Sequence, residues 1–145
     1  MAKVNPYLMF EGNCKEAFEF YKMAFEKEFA EISFFGDMPP QEGMQPLTDS
    51  QKEMVMHVNL QISEETVLYG SDIFPVTKNF KVGDHFSVSI NADSREETNQ
   101  LFSKLSEGGT VTMDLEDTFW GAYFGMWKDK FGIDWMINFD DPAKK

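Results

Sequence analysis

A chain of 145 residues with 42% hydrophobic content can bury one core, or two small fused half-cores, but not two ordinary domains. Its 13 basic residues against 25 acidic ones give a formal net charge of −12, a field that repels phosphate backbones and anionic head groups, so neither nucleic acid nor a membrane is expected as a partner. The opening stretch, Met1 to Tyr7, lacks the apolar core of a secretory leader, and no apolar run reaches the length of a membrane span, so a cytoplasmic protein is expected.

The first extended run is Pro6 to Phe10, followed by Gly12-Asn13, where Asn13 can cap a helix and Glu16 completes a capping-box spacing. The helix that follows places Ala17, Phe20, Tyr21 and Ala24 on one face. Cys14, the single cysteine, rules out an internal disulfide and a thiolate-cluster metal site. Near a helix start its thiol could be activated; as a small buried hydrophobe it would be inert, the commoner fate. Strands are predicted over Glu28 to Gly36, Met54 to Ile62 and Thr66 to Ser71, with a Pro-, Gly- and Met-rich loop from about Gly36 to Gln51 that has the length of a lid.

The second half repeats this order. A strand from His85 to Ile90 leads to a cap at Asp93 or Ser94 and a helix whose face is Thr98, Leu101, Phe102 and Leu105. An offset of about 81 carries the first helix face onto the second, a self-match of pattern rather than of identity. Gly108-Gly109 stops that helix, and strands follow over Thr110 to Asp114, Trp120 to Lys128 and Ile133 to Phe139. The last two flank a tight Asp129-Lys-Phe-Gly132 turn and carry large rings on both parities, so both faces should be covered or one should line a cavity.

The predicted fold is α+β: two tandem β-α-β-β-β modules forming curved mixed sheets around a cleft. One domain spans 1–145, with module one at about 4–73, a linker at 74–83 containing Pro75, Asn79 and Gly83, and module two at about 84–140. Each module has one helix for four short strands, so the cleft between the sheets is where a site is expected.

Tyr7-Leu8, Gly12-Asn13-Cys14 with Glu16-Ala17, Phe20-Tyr21-Lys22, Ser71-Asp72, Gly108-Gly109, Trp120-Gly121, Asp129 with Phe131-Gly132, and Trp135 to Phe139 together give the chain a specific likeness. It resembles the PhnB-like members of the vicinal oxygen chelate superfamily, which also holds glyoxalase I, extradiol dioxygenases, and bleomycin and fosfomycin resistance proteins. The resemblance covers nearly the whole chain and implies a homodimer of paired modules. Members of this group often carry the name 3-demethylubiquinone-9 3-methyltransferase. This chain nevertheless has no Gly-rich strand-to-helix turn for a nucleotide cofactor, so methyl transfer is not expected.

Metal-dependent members draw ligands from four strand positions, which fall here at Pro6, Tyr69, His85 and Met136. Only His85 is a competent ligand, and one imidazole does not make a zinc site, so no metal and no cofactor is expected. A rearranged site would use His57, the only other histidine, with Glu53 or Asp72, and His57 and His85 could approach only across the cleft. His85 is also the one candidate for a catalytic base, with Asp134 or Glu53 to orient it. The same ligand positions put Leu8, Phe10, Tyr69, His85, Ser87, Asp134, Met136 and Asn138 on the cleft wall, with Trp120 adding aromatic surface and Trp135 and Ile137 in the core.

No lysine is expected to face that wall, Lys128 being assigned with the other lysines to helix surface or turns, which disfavours an anionic ligand. The expected function is binding of a small organic molecule in the cleft by a homodimer. The alternative is a divalent-metal-dependent lyase, isomerase or dioxygenase using His85 with carboxylates, and a third reading is a structural dimer.

Overall fold

The computed structural model describes residues 1–40, 42–74 and 77–144; Pro75 of the expected linker lies outside the described residues. The chain divides into two compact units, Met1–Phe80 and Lys81–Lys145. Each holds one four-stranded mixed sheet and one 12-residue helix.

In the first unit the order is β1 (Tyr7–Phe10), α1 (Cys14–Phe25), β2 (Phe29–Phe34), a single 3-10 turn (Phe35–Asp37), α2 (Asp49–Lys52), β3 (Val55–Gln61) and β4 (Val67–Asp72). The sheet runs β1-β4-β3-β2, with β1 parallel to β4 and the other neighbours antiparallel. Helix α1 buries Cys14, Ala17, Phe18, Tyr21 and Ala24. Phe18, not the expected Phe20, is the central contact. Its ring lies where a Cβ on Gly70 would be, 2.3 Å from Cε1, so only glycine lets the helix approach β4 this closely.

The expected capping box at Asn13 and Glu16 does not form, because the Asn13 side chain makes no cap bond. The cap comes from sixty residues away. Asp72, 2% exposed at the end of β4, accepts the backbone N–H of Gly12 (2.9 Å) and Cys14 (3.0 Å) on Oδ1 and that of Val55 (2.8 Å) on Oδ2. One buried carboxylate thus fastens the helix start and the start of β3 to β4. The predicted loop after β2 contains a helix of its own: Thr48 and Gln51 form a reciprocal capping box at the start of α2.

The second unit contains β5 (Val88–Asn91), α3 (Arg95–Ser106), β6 (Thr110–Asp117), β7 (Ala122–Lys128), β8 (Asp134–Asp140) and a short 3-10 turn (Pro142–Lys144). Its order, β5-β8-β7-β6 with β5 parallel to β8, repeats that of the first sheet. Ser94 caps α3 by accepting the Glu97 N–H at 3.0 Å. Arg95 lies 4.0 Å over the Tyr123 ring and pairs with Asp117 and Asp141. Thr98, Leu101 and Leu105 are buried under the helix, and the Phe102 ring meets Trp127 edge-on at 5.3 Å.

Trp127 and Trp135 stack at 6.1 Å, their planes 2° apart. In the β7–β8 turn, Asp129 accepts the N–H groups of Phe131 (2.8 Å) and Ile133 (3.0 Å), and the Trp135 indole N–H (2.8 Å). Gly132, at φ 90°, completes the turn.

Two strand starts differ from expectation by more than one residue. β5 begins at Val88, which leaves His85 and Ser87 ahead of the strand, and β7 begins at Ala122, which leaves Trp120 in the turn before it.

Candidate functional site

Each sheet has one face under its helix and one face free of it. Because side chains alternate along a strand and registered partners share a face, the pairing assigns every predicted residue to a side. On the second sheet Trp135 and Ile137 are buried on the helix side, so Asp134, Met136 and Asn138 share the other side. Register adds Lys128 opposite Asp134, Met126 opposite Met136 and Phe124 opposite Asn138. Trp120, 52% exposed, reaches this face from the turn, its ring 6.2 Å from Phe124. Four predicted residues, Trp120, Asp134, Met136 and Asn138, are thereby brought to one helix-free surface, with Met126 and Phe124 as apolar neighbours that sequence reasoning did not single out.

Lys128 corrects the expectation of a wall without a cation. It ends β7 on this same face and pairs with Asp134 at 3.0 Å and Asp84 at 3.5 Å. The hydrogen bond to Asp134, with the charges of both carboxylates, raises the ammonium pKa against the lowering effect of burial. Asp134 is therefore engaged by Lys128 and not by His85. His85 is exposed, and its ring contact is with Phe86 at 6.3 Å.

On the first sheet the predicted wall divides. Leu8 pairs with Gly70 and Phe10 with Asp72, on the helix side; both are buried there, and the Phe10 ring meets Phe18 edge-on at 6.2 Å. Leu8 and Phe10 are core, which corrects their placement on the open wall. The run Tyr7-Leu8-Met9-Phe10 is apolar on both parities, so sequence alternation cannot tell its two faces apart; Phe18 packing against Gly70 decides it. Tyr69 does lie on the helix-free face, with Tyr7 and His57 beside it at 6.3 and 5.8 Å.

Among the described residues, no three His, Cys, Asp or Glu side chains converge to hold a metal ion. His57 contacts rings, Asp72 is spent on three backbone donors, and Glu53 is exposed. Cys14 is fully buried, and burial together with the Asp72 carboxylate pushes its thiol far above the ordinary value, which disfavours the thiolate a nucleophile needs. A surface groove of about 890 Å³ lies between the start of α1 and the segment carrying α2, lined by Gly12, Lys15, Phe34, Ser50, Lys52 and neighbouring residues. Glu53 borders it, and none of the residues predicted for the cleft wall does.

The family model described as 3-demethylubiquinone-9 3-methyltransferase matches residues 2–138. Protein YjdN of Escherichia coli (strain K12) is 31% identical over 140 residues, covering 93% of this chain and 93% of its own. Protein PA1353 from Pseudomonas aeruginosa is 36% identical with a TM-score of 0.83, over 97% of this chain and 99% of that one. The PhnB protein from Bacillus cereus is 26% identical with a TM-score of 0.74, over 95% and 99% of the two chains. At lower identity, solved structures of the glyoxalase/bleomycin resistance protein/dioxygenase group share the fold alone. With two β-α-β-β-β sheets in tandem and a match that runs nearly end to end, the chain belongs to the PhnB-like family described as 3-demethylubiquinone-9 3-methyltransferase, on the glyoxalase/bleomycin resistance-like fold.

Proposed function

We propose that this chain binds a small organic molecule on the helix-free face of its second sheet, as a cytoplasmic homodimer and without a divalent ion or nucleotide cofactor. The observation that supports this most is the gathering of Trp120, Phe124, Met126 and Met136 beside Asn138 and the Lys128–Asp134 pair. An apolar surface with a few fixed polar points is the usual makeup of a small-molecule site, and methionines let it adapt to shape. Lys128 admits a ligand with an acidic group, since Asp84, its second partner, is 91% exposed and free to leave. The exposed Val82, Phe86 and Phe119 favour a partner copy. Among the described residues no helix is long and apolar enough to cross a membrane, and the single cysteine suits a reducing compartment.

A thermal-shift ligand screen on the intact chain, with Trp120→Ala and Met136→Lys alongside, tests the site. A saturable shift weakened about tenfold in both variants is expected. Hits that bind both variants as tightly as the parent would remove the site. Elemental analysis of untagged protein and His85→Ala tests the metal-free half. Near-stoichiometric metal that disappears in the variant would overturn it and favour lyase, isomerase or dioxygenase chemistry.

A further inference from the structure

The helix-free face of the first sheet differs chemically from that of the second, and its composition points to a ligand class. Tyr7, Tyr69 and His57 form a triangle of rings: Tyr7 and Tyr69 at 6.3 Å with planes 11° apart, Tyr7 and His57 at 6.2 Å, His57 and Tyr69 at 5.8 Å. Tyr7 is 47% exposed, so ring surface is open to a ligand. Register extends the face to Asn59 opposite Tyr69, Glu31 opposite Asn59 and Ser33 opposite His57. No lysine or arginine occupies the registered rows of this face.

Aromatic faces carry negative quadrupole charge and attract cations, most strongly those whose alkyl groups can be desolvated against the ring. Glu31 lies two strand spacings, about 10 Å, from Tyr69, near enough to add its field across a partly screened surface. A net charge of −12 further concentrates cations and repels anions. The second sheet presents Lys128 on its corresponding face; the first presents rings and a carboxylate. We infer that the Tyr7–His57–Tyr69 face binds an organic ammonium ion, with the ring faces of Tyr7 and Tyr69 as its seat and Glu31 as counter-charge. The site stands on the first sheet alone and does not depend on the second-sheet reading.

The test uses the full chain and two probes of equal shape, choline and its uncharged carbon isostere 3,3-dimethylbutanol, titrated by NMR. Choline is expected to bind saturably, with shifts concentrated on Tyr7, His57 and Tyr69, and the isostere about tenfold more weakly or not at all. Tyr7→Leu and Tyr69→Leu should each weaken choline binding about tenfold, while Tyr7→Phe and Tyr69→Phe keep it, because the ring and not the hydroxyl holds the cation. Glu31→Gln should weaken it about twofold, and added salt should erase that difference. Absence of saturable choline binding at millimolar concentration, equal binding of the isostere, or unchanged binding in leucine variants with parental unfolding curves would each overturn the inference.

Discussion

The two units repeat one strand order yet are fastened by different chemistry. In the first, Asp72 at the end of β4 gathers the N–H groups of Gly12, Cys14 and Val55, so the helix start is capped through tertiary structure. In the second, Ser94 caps α3 locally, and the buried carboxylate, Asp129, sits instead inside the β7–β8 turn. The architecture depends on satisfying backbone donors wherever the ladders leave them unpaired, and any acceptor that reaches them serves. The difference follows from the connections: β2 reaches β3 through Phe35 to Met54, including α2, whereas β6 reaches β7 through the Thr118–Gly121 turn. The longer excursion needs an anchor where it rejoins the sheet, and the Asp72 bond to Val55 is that anchor.

The largest expected effect separates the two carboxylates. Asp72→Ala strands three backbone N–H groups and should cost about 3–5 kcal/mol in urea unfolding, while Asp129→Ala, which strands two backbone groups and one indole, should cost about 3 kcal/mol. Hydrogen exchange should localise the first loss to 1–80 and the second to 81–145. Protection lost equally in both units by either change would show that the comparison between separately fastened units is wrong.

Next come the glycines beneath the helices. A Cβ at Gly70 would stand 2.3 Å from the Phe18 ring, and one at Gly125 would stand 2.9 Å from the side chains of Leu115 and Phe102. Gly70→Ala should therefore destabilise by about 2–3 kcal/mol and Gly125→Ala by about 1 kcal/mol, because the overlap at Gly125 is smaller and its partners, the Leu115 tip and the half-buried Phe102 ring, yield more readily than the fully buried Phe18 ring. Equal midpoints in a denaturant series would mean that α1 is no more tightly seated than α3.

The smallest effect is at the caps. Ser94→Ala should cost about 1 kcal/mol, whereas Asn13→Ala should change thermal unfolding hardly at all, since its side chain makes no cap bond. A larger loss at Asn13 than at Ser94 would reverse the contrast between tertiary and local capping.

Much of the fold was legible because it rests on local periodicity. The apolar spacing that marked Thr98, Leu101 and Leu105 is the face α3 buries, and the alternation in the last strand separated Trp135 and Ile137 from Asp134, Met136 and Asn138 correctly. The capping box Thr48 to Gln51 is equally local, but it lies in a Pro-, Gly- and Met-rich segment whose composition signals a loop. The shared face of Trp120, Asp134, Met136 and Asn138 was legible for the same reason, being fixed by strand parity and one turn. Leu8 and Phe10 were not, because an all-apolar strand has no readable parity, and Lys128 was not, because its pairing with Asp134 depends on the register of β7 against β8.

The sequence by itself determined the two-module order, the helix positions, the last-strand parity and the family, all properties of residues near one another in the chain. Tertiary structure alone decided that Asp72 caps α1 from β4, that Phe18 rests on Gly70, that Leu8 and Phe10 are core, and that Lys128 stands beside Asp134 on an open face. These join strands or elements whose register no local pattern encodes, so they emerge only when burial and unpaired backbone donors are satisfied together.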